Sequence, residues 1–325
     1  MKFSLISPTF DRPEEVREFI ASAAALRYDR GDFEVILADG TPQDGLRATV
    51  EAASRAAGLP VIFLQEDYLP VSDARNLAAR RAQGDYLIFL DSDCLLPEDY
   101  LQHLSDGLVA EGWDAFGGPD AAPEEFSALQ KAISFSMTSF WTTGGLRGGT
   151  TRTATYYPRG FNMGMKRSVF ESVGGYDVHF KTGEDVDLSI RIQQAGFRVG
   201  LIPKAVVWHK RRSTLPQFFK QVRRFGAARW ALAQRYPGQL NVTHLFPVFL
   251  TLGTLFSILL GAISGVPLPI VFIGYFLVPA VLAGAQYRSP RIGFLAVAST
   301  VAMMSGYAFG FLEALLGGGL HKKRG

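Results

Sequence analysis

Gly84-Asp-Tyr-Leu-Ile-Phe-Leu-Asp-Ser-Asp93 is an apolar run of five residues closed by two carboxylates. Tyr86–Leu90 reads as a buried strand, since a short continuous apolar run bounded by turn residues fits a sheet covered on both faces. Working outward, Phe3–Ser7, Phe33–Ala38 and Val61–Gln65 have the same character. Helical stretches separate them: one carrying Val16, Phe19 and Ile20, one over Leu46–Ala57 and one over Ala74–Ala82. Asp11, with Glu14 three residues on, is the expected cap of the first helix. Strands alternating with helices predict an α/β fold with a mostly parallel sheet, whose ligands bind beyond the carboxyl ends of the strands. Three such ends carry marked residues: Pro8-Thr9, Asp39-Gly40 and Asp91-Ser-Asp93.

Downstream the alternation weakens. Pro97–Glu111 reads as a helix, Trp113–Gly117 as a strand, and residues 120–155, rich in Gly and Thr, as a mobile loop over a site. Phe161–Met165 returns as a strand, Ser168–Val173 as a short helix and Glu184–Gln194 as a helix opening on acids.

The remaining third differs in kind. Residues 1–203 carry 19 Lys/Arg against 29 Asp/Glu, residues 204–241 nine against none, and residues 242–325 five against Glu313 alone. An acidic front, a basic hinge and an apolar tail point to a domain tied to an anionic membrane surface and exclude a nucleic-acid binder, whose basic stripe would cover the folded domain. From Leu245 to Tyr287 no Asp, Glu, Lys, Arg or His occurs over 43 residues, enough to cross a bilayer twice, with Gly265-Val-Pro-Leu-Pro269 supplying a turn. A third apolar run spans Ile292–Leu312. A third crossing would place His321-Lys-Lys-Arg324 opposite the basic hinge, against the positive-inside rule, so two and three spans both stay open. The hinge segment Thr214–Tyr236 places Leu215, Phe218, Phe219, Val222, Phe225 and Trp230 at helical spacing among cations, the pattern of an interfacial membrane helix. The division expected is an α/β domain over 1–210, a basic amphipathic linker over 211–241 and an all-α membrane region of two or three helices over 242–325. Met1-Lys2 leads straight into a strand without a secretory apolar region, so the front domain is expected on the cytoplasmic face of a bacterial-type inner membrane. Cys94 is the only cysteine, which excludes a disulfide framework.

The marked residues have chemistry. Asp91 and Asp93 flank Ser92 at the strand exit, and strand alternation would put both carboxylates on one side. Two hard oxygen donors there suit Mg2+ or Mn2+ holding a diphosphate. Asp39 can accept from a base or a ribose, or close a turn with Gly40. Arg75 can clamp a phosphate, stack on a base or form a surface ion pair. Glu184 and Asp185 stand at a helix start, where the dipole favours acids. His209 follows Val206-Val-Trp208, beside the basic hinge.

Together these stretches resemble glycosyltransferase family 2. The resemblance rests on Ser7-Pro-Thr-Phe-Asp-Arg12, Leu37-Ala-Asp-Gly-Thr41, Ala74-Arg-Asn76, Gly84–Asp93, Gly160-Phe-Asn-Met-Gly164, Gly174-Gly-Tyr-Asp177 and Gly183-Glu-Asp-Val-Asp-Leu188, in the family's order over about residues 3–210. It implies a GT-A nucleotide-sugar-binding domain, a divalent metal (Mg2+ or Mn2+) and inversion at the anomeric carbon. The donor implied is a nucleotide sugar, a UDP-sugar first with GDP- and dTDP-sugars as alternatives; the acceptor expected is a lipid or polyprenyl-phosphate-linked one. By resemblance Pro8, Thr9, Asp39, Arg75 and Asp91 contact the donor. Asp91, Asp93 and His209 serve the metal, and Asp185 is the catalytic base beside Glu184. Gln221-Val-Arg-Arg224-Phe225 is similar to the Q-x-x-R-W motif of processive members, with Phe for Trp, and gives Gln221, Arg223 and Arg224 as acceptor- or membrane-side residues. A processive polysaccharide synthase and a non-catalytic membrane-anchored sugar-binding subunit are the alternatives. A sugar-nucleotide pyrophosphorylase would want a glycine-rich loop where Pro8-Thr-Phe-Asp11 stands.

Overall fold

The computed structural model of the 325-residue chain describes residues 1–43, 45–121, 126–144, 156–180, 182–265 and 270–317. They fall into two units, residues 1–123 with 152–210 and residues 124–151 with 211–325.

The first unit is built on a seven-stranded sheet in the order β3 (Val61–Gln65), β2 (Phe33–Asp39), β1 (Phe3–Thr9), β4 (Tyr86–Leu90), β8 (Asn162–Lys166), β6 (Ala115–Gly117), β9 (Val199–Leu201). The pairs β3·β2, β2·β1, β1·β4 and β6·β9 are parallel, and β8 runs antiparallel to both of its neighbours. Side-chain alternation sorts each strand onto two cores. Phe3, Leu5, Val35, Leu37, Ile88 and Leu90 meet α1 (Pro13–Ala24), α2 (Arg47–Ala57) and α4 (Tyr100–Glu111) on one face. Ile6, Ile36, Leu87 and Phe89 meet α3 (Val71–Arg81), α7 (Arg167–Ser172) and α8 (Glu184–Gln194) on the other. Two covered faces explain why these strands read as unbroken apolar runs. The strand order reverses between β1 and β4, which makes their carboxyl ends the switch point where such sheets bind ligands. A second, three-stranded sheet joins β5 (Cys94–Leu95), β10 (Val207–His209) and β7 (Asp120–Ala121); β5 and β7, two residues each, are too short to leave a sequence pattern.

Several local expectations are corrected. Asp11 does not cap α1: its φ is +49°, its N–H donates to Thr41 Oγ1 at 2.7 Å, and the helix starts at Pro13, whose fixed φ suits the first helical position. Helix α3 begins three residues before Ala74, directly after the extended Pro70. Residues 128–143 are helical, as α5 (Ala128–Thr138) and α6 (Phe140–Thr143), and group with the C-terminal helices. The serine at 127 and Gln130 form a capping box that starts α5. The rest of the expected 120–155 loop, residues 122–125 and 145–155, lies outside the described residues.

The second unit adds α9 (Leu215–Arg235), α10 (Val242–Ser264), α11 (Ile270–Gln286) and α12 (Pro290–Leu316). By length and composition α10 and α12 are long and apolar enough to cross a membrane, while α11 is shorter. The third apolar run thus forms the longest helix among the described residues. The apolar face of α9 is not open for lipid: Phe218 and Val222 are buried in a cluster with Ile133 and Met137 of α5 and Ala302 and Met303 of α12.

Candidate active site

The parallel register of β1 and β2 sets Thr9 beside Asp39 and Pro8 beside Ala38. Thr9 Oγ1 and Thr41 Oγ1 both donate to Asp39 Oδ1 at 2.8 Å, so one carboxylate oxygen is fully engaged. The other, Oδ2, is buried without a hydrogen-bond partner on a residue that is 0% exposed. A buried acceptor left unmatched costs about 1–3 kcal/mol, so Oδ2 keeps the capacity to accept one more hydrogen bond. Thr41, two residues past Asp39, also accepts the Asp11 N–H at 2.7 Å and so ties the exits of β1 and β2 together.

Arg75 on α3 is the centre of the site. Its Nη2 lies 2.9 Å from Asp91 Oδ1 and its Nη1 3.0 Å from Glu184 Oε1. Its guanidinium carbon sits 5.1 Å from the ring centroid of Tyr176, and Nη2 also donates to the Gly160 carbonyl at 3.3 Å. Burial opposes its charge, but Tyr176, Asp91, Glu184 and Asp185 outweigh that and raise its pKa. Burial and the adjacent Asp185 raise Glu184 above the usual glutamate range, with Arg75 pulling the other way. A Cβ at Gly160 would come within 2.6 Å of Arg75 Nη2, so only glycine fits under the guanidinium.

The motifs around Arg75 are stitched together. Asn76 Nδ2 donates to the Tyr176 carbonyl at 2.8 Å, and the Tyr176 N–H returns to Asn76 Oδ1 at 2.9 Å. Arg191 bonds Asp187 and the carbonyls of Val173 and Gly175, clamping the Gly174-Gly-Tyr turn to α8. At the start of α8, Asp185 Oδ2 accepts from Gly160 N–H at 3.0 Å and Oδ1 from its neighbour Val186 N–H at 2.8 Å.

The two aspartates after β4 do not share a strand face. The segment turns, with Cys94 N–H donating to Asp91 C=O at 3.0 Å. Asp91 turns to Arg75, while Asp93 Oδ1 lies 3.1 Å from His209 Nε2. His209 Nδ1 is 3.6 Å from Asp120 Oδ2, and its ring stacks on Phe161 with centroids 5.2 Å apart. The small second sheet makes this meeting, since His209 pairs with Cys94 and Val207 with Asp120. Asp120 was missed by sequence reading, because a two-residue strand after Gly118-Pro119 carries no periodic signal. Asp91 stays within electrostatic reach of Asp93, His209 and Asp185, so the group forms one constellation.

Asp93, Cys94 and His209 offer ligand atoms within 4.8 Å of one another. Cys94 does not complete a metal set: it is buried, its Sγ faces the Phe161 carbonyl at 3.5 Å, and burial pushes its thiol up. Carboxylates and one imidazole remain, a donor set that fits a hard divalent ion such as Mg2+ or Mn2+.

A family model described as Glycosyl transferase family 2 matches residues 4–174, more than half of the chain. This chain belongs to glycosyl transferase family 2. The succinoglycan biosynthesis protein ExoA of Rhizobium meliloti (strain 1021) is 32% identical to it over 191 residues, 57% of this chain and 57% of that protein. A Methanococcus voltae dolichyl N-acetyl-alpha-D-glucosaminyl phosphate 3-beta-D-2,3-diacetamido-2,3-dideoxy-beta-D-glucuronosyltransferase is 23% identical over 300 residues, 88% of this chain and 89% of that one. Among solved structures, the mannosyltransferase PcManGT from Pyrobaculum calidifontis, in complex with GDP-Man and Mn2+, superposes with a TM-score of 0.62 at 17% identity, covering 97% of this chain and 87% of that one. The fold of this family 2 chain is accordingly GT-A-like, followed by C-terminal helices. The family match ends before Glu184, Asp185 and His209. Each of the three is joined to a matched residue: Glu184 to Arg75, Asp185 to Gly160, His209 to Asp93.

Proposed function

We propose that this family 2 member is an inverting glycosyltransferase, moving a single sugar from a nucleotide-sugar donor to a lipid or polyprenyl-phosphate-linked acceptor in envelope glycan synthesis. The observation that carries the reading is the run of groups across the switch point. An acceptor oxygen of Asp39 is buried without a partner at one end, Arg75 lies among three carboxylates in the middle, and Asp93 faces His209 at the other.

In this reading Thr9 and Thr41 hold the Asp39 carboxylate so that Oδ2 receives a donor from the nucleobase, in the pocket that begins at Pro8. Asp91 and Arg75 contact the ribose and diphosphate end. Asp91, Asp93 and His209 would hold Mg2+ or Mn2+, which when bound supplies positive charge against a leaving diphosphate. Glu184 keeps Arg75 in place through its 3.0 Å ion pair. Asp185 is oriented by two backbone N–H groups and retains lone pairs for an acceptor hydroxyl. It takes that hydroxyl's proton as the acceptor oxygen bonds to the anomeric carbon and the bond to the diphosphate oxygen breaks, a single displacement that inverts the centre. The PcManGT neighbour was solved with GDP-Man, so GDP-sugars stand beside UDP- and dTDP-sugars as donors. The name of the Methanococcus voltae relative gives a dolichyl-phosphate acceptor, and the apolar helices of the second unit give this chain a reason to meet one. The catalytic unit then works at the cytoplasmic face of a bacterial-type inner membrane, with Gln221, Arg223 and Arg224 of α9 on the membrane side.

The test is incubation of the protein in nanodiscs with labelled UDP-, GDP- and dTDP-sugars and a lipid extract. Label entering the organic phase as one discrete species is expected. Asp185→Asn should retain donor binding and lose turnover. A water-soluble polymer of high mass, or a variant that loses donor binding while turnover per bound donor stays normal, overturns the assignment.

A further inference from the structure

We propose that α12, long and apolar enough to cross a membrane, instead lies in the membrane plane as a monotopic helix, with one apolar stripe against the acyl chains and the opposite face packed under α5 and α9. The proposal rests on the membrane reading above and says which helix faces lipid and how.

The exposed large apolar residues of α12 are Phe294, Val301, Phe309, Leu315 and Leu316. At 3.6 residues per turn these fall within an arc of about 120°. Ile292, Ala296, Ser299, Thr300 and Gly310 are buried on the other side, and Ala308, within the exposed arc, is covered in a cluster with Val248 of α10. In its apolar window α12 is 44% buried against 17% for α10. A single apolar stripe along a helix otherwise covered by protein is the pattern of an interfacial helix.

What covers α12 sets its depth. Helix α9 packs on it backbone to backbone: a Cβ at Gly310 would lie 1.8 Å from the Arg223 carbonyl, and one at Gly226 2.0 Å from the Tyr307 carbonyl. The contact extends from Phe218 and Val222 with Ala302 and Met303 to Trp230 against Phe311, whose rings are 5.6 Å apart. Along that length α9 carries Lys220, Arg223, Arg224, Arg229 and Arg235, in a segment with no acid. Each cation at the centre of a bilayer costs about 2.5–3.5 kcal/mol or more, so α9 stays at headgroup depth from end to end, and residues 302–313 of α12 stay with it. Arg223 and Glu313 pair across the contact.

The other helices agree. Val248 and Leu245, at the start of α10, cluster with Ala308, Phe311 and Leu312 near the end of α12. Ala283 and Tyr287, at the end of α11, cluster with Ile292 and Ala296 near its start. An α10–α11 pair that enters and leaves through one face has both of these ends at one depth, although they touch α12 about 24 Å apart along its axis. With α12 in plane, Arg288 and Arg291 stay on the side of the basic hinge, as the positive-inside rule expects, and no third crossing is called for.

The experiment places single spin labels at Phe294→Cys, Val301→Cys and Phe309→Cys in proteoliposomes and reads depth from oxygen and nickel-chelate collisions. Cys94 is buried, so the unsubstituted chain gives the blank. Maleimide accessibility at Ser289→Cys is compared with tags at both chain ends. Equal depth for the three labels, with Ser289 and both ends on one face, is expected. A steady progression of about 22 Å between 294 and 309, or Ser289 or the C-terminal tag on the face opposite the N-terminus, overturns the in-plane assignment and leaves the membrane reading standing. No lipid exposure at any label overturns both.

Discussion

At the scale of single residues, the site is governed by how each carboxylate is matched. Asp39 has one oxygen receiving two hydroxyls and the other without a partner. Asp39→Asn keeps an oxygen for Thr9 and Thr41 but presents an amide where a base N–H would arrive. A hydrogen bond to a charged group is worth about 1.5–3 kcal/mol, so affinity for the free nucleoside diphosphate should fall roughly 10- to 150-fold, read by calorimetric titration. Unchanged affinity would move base recognition away from β2. Arg75 is the converse case, a buried cation among carboxylates. Arg75→Met leaves Asp91 and Glu184 facing each other, and breaking a buried pair from one side costs about 3–5 kcal/mol. For a unit of this size that is a melting-temperature drop of about 6–20 °C. A drop of a degree or less would mean the three acids tolerate one another without it. Asp93→Asn should leave the fold intact and weaken Mn2+-dependent nucleotide binding, and the same loss should follow chelation in the unsubstituted protein. Binding indifferent to both would remove the metal from the Asp93–His209 site.

At the scale of elements, glycines decide which backbones can touch. The α9–α12 crossing depends on Gly226, Gly306 and Gly310, the last two spaced as a small-xxx-small pair that lets helices in or at a membrane approach closely. Gly310→Ala would drive a methyl into the Arg223 carbonyl and should reduce the yield of monodisperse protein extracted in mild detergent. Gly274→Ala on α11, where a Cβ meets nothing within 4 Å, should leave that yield unchanged. Equal behaviour of the two variants on size exclusion would contradict the close approach. Around α5 and α12 a small polar seam adds direction: Ser136 Oγ lies 2.6 Å from Ser299 Oγ and 3.1 Å from Thr300 Oγ1, all three buried. Hydroxyls meeting across an apolar contact hold one register between the helices.

At the scale of the whole molecule, the charge asymmetry between the two parts of the chain becomes a working arrangement. The acidic part folds as the GT-A-like unit, and the basic part supplies α9. The apolar residues of α9 are used on α5 and α12, so in the proposed membrane arrangement its tie to lipid is electrostatic. Replacing Lys220 and Arg224, both exposed, by Gln should lower activity in nanodiscs rich in anionic lipid by about 30-fold, at about 1 kcal/mol per cation, and leave activity in neutral micelles within a factor of two. Equal loss in both would assign these cations to the acceptor or the fold, away from the leaflet.

The parallel sheet, the exits of β1, β2 and β4, and the presence of apolar C-terminal helices were legible in the order of residues. Local periodicity and strand-end acids depend only on near neighbours in the chain. The long spacing between motifs also carried the family. Pairing was not legible. Nothing local joins Asp93 to His209, 116 positions later, or places Asp120 beside that imidazole through strands of two and three residues. The separation of Asp91 toward Arg75 and Asp93 toward His209 came from a turn where alternation predicted a shared face. Helices α5 and α6 read as loop because their apolar faces answer to distant helices, α5 to α12 through Ser136 and Ser299, 163 residues apart, and α6 to α11 through Trp141 and Tyr275, 134 residues apart. The use of α9's apolar stripe was equally undecidable from sequence. Composition says that such a face must be buried, and only tertiary structure says whether lipid or another helix buries it, because both remove it from water at about the same gain.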